Sequence, residues 1–332
     1  MNSVRRKVQR TGTSTLAVSL PKAWAKKYGI RQGAELFIRE NGDGMLSLSP
    51  TDLSAASQPK TDLCVDDYKD IDSLRRKFLA AYLNGFTIIR LHSKGKFPSN
   101  MRRAIIEEAH KLIGVEATEE TPTTLVVQDF FSHEGLSVEK TLRRAHLLAS
   151  GMCEDLLGAL SSGDRRAAAV VIARDDEVDR LRFLLLRQLN LALNDSALLA
   201  ALNLNTRQCV NYATVVIDLE RVADKITKIA KYYAELPSKE SEATKELFKK
   251  LLELNRKVYA LYSNAVKAFL GRDAALANAV IREKDGLFFA RVEFDKGFAA
   301  HKAPYQYSVM LDSLMEIAEH CAEISEIAID ES

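Results

Sequence analysis

The sequence predicts a multidomain, mainly α-helical protein that begins with a small β-rich head. Only 15 Gly and 7 Pro interrupt the 332 residues, and 47% of them are hydrophobic, which is typical of a long helical chain with sizeable cores. Apolar residues recur at helical spacing over almost all of the sequence after Leu136. Residues 4–50 show instead the alternation of short strands. The expected order is therefore a β domain, a mixed segment and a helical region.

The head is predicted from two stretches of alternating residues. Positions 15–20 alternate apolar with small or polar side chains, a short helix is expected between Pro21 and Gly29, and residues 36–38 and 46–48 alternate again. About fifty residues of β-rich chain bury too little surface to be stable alone. The pattern therefore favours a head that is completed by a second copy of itself.

The same residues carry a family resemblance. A basic strand is followed by a strand ending in Leu20-Pro21-Lys22, by a short helix containing Trp24, and by Gly33 before the third strand. This arrangement resembles the AbrB/SpoVT family of swapped-hairpin DNA-binding domains. The resemblance implies an N-terminal domain, residues 1–52, in which two chains interleave their hairpins. A homodimer would present a basic strand surface to double-stranded DNA.

Charge is unevenly distributed along the chain. Residues 1–60 hold ten Lys and Arg against four Asp and Glu, a balance of +6, whereas the remainder carries −4. A basic head on an acidic body indicates an anionic partner. The candidate DNA-contacting residues are the cations and the loop hydroxyls that follow them: Arg5, Arg6, Lys7, Arg10, Thr11, Thr13 and Ser14. The alternatives are that the basic residues only keep the protein in solution, or that the head only dimerises.

A mixed segment separates the head from the helical region. Residues 51–65 have the Ser and Pro content of a linker. Residues 66–132 alternate helical and strand patterns and predict a small α+β connector, a sheet backed by two helices. The helical region then repeats itself: helices near 137–162, 164–194 and 197–236 are answered by helices near 239–270, 272–298 and 303–329. We expect tandem three-helix bundles, 136–236 and 237–332.

Two acidic pairs lie in the first predicted bundle. Glu220 and Asp224 stand one turn apart beside the apolar stripe of the helix around residues 206–236, and Asp175 and Asp179 are spaced likewise on the preceding helix. If these helices form an antiparallel hairpin, the four carboxylates converge and offer the oxygen ligands that hard cations prefer. The alternative is a solvated acidic face, with Lys228 paired to Asp224.

The acidic motifs also carry a second resemblance. Leu219-Glu-Arg-Val-Ala-Asp-Lys-Ile226 resembles the LERIGD-type signature of the PhoU family of phosphate-uptake regulators, and Asp175-Asp-Glu-Val-Asp179 resembles that family's other acidic motif. The connector resembles that of archaeal-type PhoU proteins with an AbrB-like head. The resemblance implies a PhoU-like bundle architecture and a divalent or trivalent metal ion (iron, zinc, manganese or magnesium) held by Asp175, Asp179, Glu220 and Asp224.

The function that these features predict is regulation. We expect a cytoplasmic, homodimeric, metal-binding regulator of phosphate uptake and homeostasis that couples phosphate status to transcription of transporter genes. The alternative is a signalling adaptor that docks on a phosphate transporter ATPase or a sensor kinase, with peripheral membrane contact at most. No phosphate-loop or dinucleotide motif is present. No Glu-x-x-His pair accompanies Glu220 or Asp179, so an enzyme is not expected.

The second bundle is predicted to be degenerate. Lys284 and Phe288 stand where the first repeat has Asp175 and Asp179, and Met315 and Glu319 stand in place of Glu220 and Asp224. One carboxylate of four remains, so the metal is expected in the first repeat alone. The alternative is a weaker site formed by Asp285 and Glu319. The second hairpin is also 14 residues shorter, which predicts about two turns fewer in each helix.

Overall fold

The structure, a computed structural model, describes residues 4–40, 44, 46–50, 59–131, 136–237 and 241–332. The chain divides into two compact units, residues 1–57 and 58–332. The described part of the first unit holds four strands and one helix: β1 (Gln9–Thr11), β2 (Thr15–Ala17), α1 (Lys22–Lys27), β3 (Phe37–Glu40) and β4 (Leu46–Ser49). Two antiparallel pairs result, β1 with β2 and β3 with β4.

Apolar side chains of the head are exposed within one chain. Leu16 is 70% exposed, Ile38 64% and Leu46 65%, although all three lie on strands. None of the described residues 4–50 is classed as buried. This exposure of strand side chains is what we expect of a head that is completed by a second copy, because exposed apolar surface marks an interaction site.

The connector is a four-stranded sheet covered by two helices. Its elements are β5 (Lys60–Cys64), α2 (Ile71–Leu83), β6 (Ile88–His92), α3 (Ser99–His110), β7 (Val115–Glu120) and β8 (Thr124–Asp129). The strand order is β5-β6-β8-β7, with β5 parallel to β6 and the other pairs antiparallel. Phe78, Leu91, Ile105 and Leu125 form the centre of its core.

The connector begins earlier than the predicted residue 66. Residues 60–64, which the sequence assigns to a linker over 51–65, form strand β5; residues 51–58 of that linker lie outside the described residues. Lys60-Thr-Asp-Leu-Cys contains one strongly apolar residue, Leu63, and that residue is buried. The apolar periodicity of this edge strand is too weak to predict it from the sequence. The strand is held instead by its parallel pairing to β6.

The remainder is helical. Its helices are α4 (Val138–Ser162), α5 (Arg165–Ala173), α6 (Asp175–Asn194), α7 (Ser196–Ala201), α8 (Thr206–Ala234), α9 (Glu242–Gly271), α10 (Ala274–His301) and α11 (Tyr305–Asp330). The predicted helix 164–194 is interrupted at Arg174, and the predicted helix 197–236 is two helices. Asn203 has a left-handed φ of 54° between them, and Asn205 caps α8 with a capping box to Gln208.

One hydrophobic core runs through both helical repeats, from Val138 to Ala328. Helix α8 lies at its centre and packs against α4, α5, α6 and α11. The apolar stripe of α8 is completely buried: Leu219, Val222, Ala223, Ile226 and Ile229. The two repeats are therefore joined by shared packing as well as by sequence. Among the described residues, no helix contains an apolar stretch long enough to cross a membrane.

Candidate metal centre and nucleic-acid surface

Helices α6 and α8 carry the two acidic pairs, and their packing brings the pairs to one place. Because the stripe of α8 faces the core, Glu220 and Asp224 lie at the edge of the packed seam, where Glu220 is half-buried and Asp224 is exposed. Asp175 is the first residue of α6, and Asp179 follows one turn later. Carboxylates in the first turn of a helix are stabilised by its dipole. We call Asp175, Asp179, Glu220 and Asp224 the acidic cluster.

The pKa values of the acidic cluster record this proximity. Burial raises the pKa of Glu220 to about 7, with the charges of Asp224 and Asp179 adding to the rise and Arg182 opposing it. Burial and the carboxylates of Asp224 and Asp179 raise the pKa of Asp175 to about 6. The pKa of Asp224 is also raised, by burial and then by Asp179. Carboxylates from two helices therefore repel one another, as a cation-binding cluster requires before it is loaded.

Arg182 is the cation that the structure places beside the cluster. Its Nη2 lies 3.5 Å from Asp179 Oδ1 and 3.4 Å from Glu220 Oε1, and its guanidinium stacks over the ring of Phe183 at 4.2 Å. Lys228, the partner that spacing suggested, makes no ion pair with Asp224, although both residues are within the described part of the chain. The charges of Lys225 and Lys231 also act on Asp224, and that of Lys231 acts on Asp175, so Arg182 shares the neutralisation of the four carboxylates with these lysines.

The acidic cluster fits a hard cation by donor type, since every side chain offers oxygen. Three of its members have raised pKa values that a bound cation would relieve. The four carboxylates are not closed around a common point. Among the described residues, the group of three ligand atoms that lie within 4.8 Å of one another belongs to other side chains. Binding at the cluster therefore requires rotation of the carboxylates towards a common point.

The corresponding place in the second repeat is filled by a lysine. Lys284 Nζ lies 2.8 Å from Glu319 Oε2 and 3.6 Å from Asp285 Oδ1. The hydrogen bond to Glu319 raises the pKa of Lys284. Asp285 and Glu319, the pair that offered a weaker site, are thus already bound to an internal cation. The side chain of Phe288 lies outside the described part of the structure.

The shorter second hairpin differs from its prediction. Eight of the 14 missing residues belong to the connection, where residues 195–205 with the short helix α7 are replaced by residues 302–304. The helices themselves lose two residues before this connection and four after it, rather than about two turns each. The prediction was wrong because the sequence separation between two motifs does not show how a difference in length is shared between the helices and the loop that joins them.

A further set of ligand-type side chains lies between the repeats. Asp218 of α8 and His320 and Glu323 of α11 bring one ligand atom each to within 4.8 Å of the others. We call these three residues the interrepeat triad. The sequence signal was His320 and Glu323 at i, i+3, but it was missed because Asp218 is 102 positions away. No local spacing connects the two.

The predicted DNA-contacting residues are all exposed on the head. Arg5, Arg6 and Lys7 precede β1, and Arg10 lies on β1. The Arg10 guanidinium donates to the backbone carbonyl of Thr13, with Nε at 3.1 Å. Thr11 ends β1, and Thr13 and Ser14 belong to the turn before β2, where Gly12 has a φ of 72°. The structure thus places the seven residues on one hairpin and the segment that enters it.

Two family models match parts of the chain. Residues 142–233 match the PhoU domain, and residues 9–52 match the model of the antidote-toxin recognition protein MazE, a bacterial antitoxin. The first match spans α6 and all of α8 but its last residue, and so contains the whole acidic cluster. The second contains Arg10, Thr11, Thr13 and Ser14, whereas Arg5, Arg6 and Lys7 precede it. None of the curated proteins matches this sequence.

Solved structures resemble the helical region. The phosphate transport system regulatory protein PhoU from Streptococcus pneumoniae superposes with a TM-score of 0.50 at 20% identity, covering 58% of this chain and 91% of that protein. PhoU from Pseudomonas aeruginosa gives a TM-score of 0.47 at 21% identity, covering 58% of this chain and 93% of that one. At this identity, the first likeness establishes the fold of the helical region.

Proposed function

The chain carries a PhoU domain and an N-terminal MazE/AbrB-like domain, and from this combination we propose that it is a metal-binding regulator of phosphate uptake that binds DNA through its head. The observation that carries the proposal is the PhoU match over residues 142–233, because it contains both helices of the acidic cluster. The metal is a divalent or trivalent ion such as iron, zinc, manganese or magnesium.

The metal links the regulator's state to its helical packing. A cation at the acidic cluster neutralises the repulsion between Asp175 on α6 and Asp224 on α8, and so ties the two helices together. Arg182 competes with the cation for Asp179 and Glu220, which limits affinity. In the second repeat, the ion pair of Lys284 connects the two helices, so no metal ion is needed there.

The head supplies the output of the regulator. Its exposed cations carry the positive balance of the chain and attract duplex DNA by releasing counterions from phosphates. Arg side chains also have the geometry to read guanine in the major groove. We propose that the protein works in the cytoplasm as a homodimer through the head, without catalytic activity. The competing proposal is an adaptor for a phosphate transporter ATPase or a sensor kinase, whose head only dimerises.

The metal site is tested by metal analysis of the purified full chain. Glu220→Ala/Asp224→Ala removes two of the four proposed ligands, so we expect the metal content to fall by at least one ion per chain. The matched control is Glu319→Gln, which alters the corresponding position of the second repeat and should keep the parent content. A double variant with the parent's metal content would contradict the acidic-cluster site.

DNA binding is tested by gel shift with duplex promoter DNA over a range of salt concentrations. Replacing Arg5, Arg6 and Arg10 by Ala should weaken binding and flatten the log–log salt slope by about one unit for each lost phosphate contact. The control removes three exposed charges from α9 instead: Lys249, Lys250 and Lys257 to Ala. If the head variant binds like the parent at every salt concentration, the adaptor function is favoured.

A further inference from the structure

The interrepeat triad joins the two helical repeats. His320 Nδ1 lies 3.2 Å from Asp218 Oδ1 and 3.1 Å from Glu323 Oε2. Asp218 is buried, with 1% of its side chain exposed, whereas the side chains of His320 and Glu323 are 15% and 52% exposed. The triad therefore runs from the core of the α8–α11 interface out to the surface, which gives an ion a path of entry.

Asp218 has an oxygen that the protein leaves unused. Its Oδ1 accepts from Arg221 Nη1 at 3.1 Å and contacts the His320 imidazole, but its Oδ2 is buried and has no hydrogen-bond partner among the described residues. A buried carboxylate oxygen without a partner is unfavourable by roughly 1–3 kcal/mol in general. A group of this kind calls for an explanation, and a bound ion that completes its bonding is one of them.

The spacing of the donor atoms suits a small transition-metal ion. Zinc binds imidazole nitrogen and carboxylate oxygen at about 2.0–2.2 Å, so neighbouring ligands of a tetrahedral ion lie roughly 3.3 Å apart. The separations of 3.2 and 3.1 Å around His320 Nδ1 agree with that edge length. One imidazole with two carboxylates suits zinc and its first-row neighbours, whereas magnesium and calcium prefer oxygen alone.

We propose that Asp218, His320 and Glu323 form a second metal site, specific for a divalent transition metal, that fastens α8 of the first repeat to α11 of the second. It is separate from the acidic cluster, because Asp218 and Glu220 are two residues apart and point about 200° apart around α8. Asp218 contacts α11, whereas Glu220 contacts Arg182 of α6. His320 and Glu323 share a face of α11 through their i, i+3 spacing.

The test is a cobalt(II) titration of the full chain in an Asp175→Asn/Asp179→Asn background. These substitutions disable the acidic cluster from α6 and leave α8 unchanged, so cobalt bound in this background reports the interrepeat triad. We expect one cobalt ion per chain, with visible absorption bands of a low-coordinate site. His320→Gln should weaken this binding by at least about tenfold, and His301→Gln, the control on α10, should leave it unchanged.

Glu323→Gln keeps the test decisive even if His320→Gln disturbs the core, because Glu323 is half exposed. It should also weaken cobalt binding and abolish any rise in Tm that cobalt causes. Absence of cobalt binding in the background protein, or binding that survives both substitutions, would overturn the proposal in favour of a metal-free imidazolium bridging two carboxylates. Loss of metal between the parent and the background protein reports the acidic cluster separately, so the two proposals fail independently.

Discussion

Arg187 is the largest fully buried side chain of the described residues, and it connects the helical region to the connector. From α6 its Nε lies 2.8 Å from Asp129 Oδ2 at the end of β8, and its Nη2 donates to the carbonyl of Phe86 at 3.0 Å. The guanidinium also stacks over Tyr82 at 4.5 Å. A buried ion pair with this many backbone partners fixes the position of α6, and therefore of Asp175 and Asp179 at its other end.

Replacement of Arg187 by Met should lower the free energy of unfolding by about 3–5 kcal/mol. The substitution leaves the Asp129 carboxylate buried without its cation, which is the costly way to break such a pair. Urea denaturation measures the loss, and Arg180→Met, an exposed position on the same helix, is the control. Adding Asp129→Asn to the Met variant should restore part of the stability. A loss below about 1 kcal/mol would show that the pair is not a structural joint.

Single residues of the acidic cluster were accessible to sequence analysis, but their partners were not. The spacing of Asp175 with Asp179 and of Glu220 with Asp224 was enough to place each pair on one face of a helix. Spacing could not choose the neutralising cation, since Lys228 and Arg182 both stand at plausible distances along the chain. The choice of Arg182 depends on how α6 packs against α8, which is a tertiary property.

At the scale of elements, the break between α5 and α6 is the clearest feature that the pattern concealed. No Gly or Pro marks it; Arg174 ends α5 and directly precedes α6. Its side chain reaches across to α4, where it forms an ion pair with Asp155 and lies close to Gly151, so that a Cβ there would meet its guanidinium at 3.0 Å. The interruption therefore coincides with a contact between helices, and apolar periodicity continues through it.

Strand β5 and the separation of α7 from α8 were missed for a related reason. β5 is half polar and gains its order from pairing with β6, and α7 is six residues long, short of the length at which periodicity becomes informative. The long helices α4, α9 and α11 carry strong apolar stripes and were predicted to within a few residues, whereas α8 begins nine residues after the start of the predicted helix 197–236. Sequence patterns therefore located the elements that form the core, and the elements at its edges needed the structure.

At the scale of the whole molecule, the head and the body differ in what they leave exposed. The body of residues 58–332 has a continuous core in its helical region, whereas the strands of the head expose Leu16, Ile38 and Leu46. Folding of about fifty residues with so little burial within one chain is unfavourable. We therefore expect a second head to cover these side chains and to supply apolar contacts at roughly 25 cal/mol for each Å² buried.

Leu16→Asp/Ile38→Asp should therefore prevent dimerisation of the head. The two carboxylates would be buried without partners at the predicted interface, which charged groups do not tolerate. In sedimentation, residues 1–57 of the parent should behave as a dimer and those of the variant as a monomer. The control, Val170→Asp/Val210→Asp, places the same charges on exposed apolar positions of the body. Because these positions lie outside residues 1–57, the control is measured on the full chain, where it should leave the dimerisation of the parent unchanged.

For the DNA binding proposed above, we expect dimerisation of the head to set the affinity of the full chain. Two heads held together bring two basic hairpins to one duplex, so the second contact forms at a high effective concentration. The Leu16→Asp/Ile38→Asp variant retains Arg5, Arg6 and Arg10, yet its affinity for promoter DNA should fall by roughly 10²-fold. The body control should bind like the parent. A parent head that sediments as a folded monomer, or undiminished DNA binding by the head variant, would mean that one hairpin is sufficient and that Leu16 and Ile38 serve another partner.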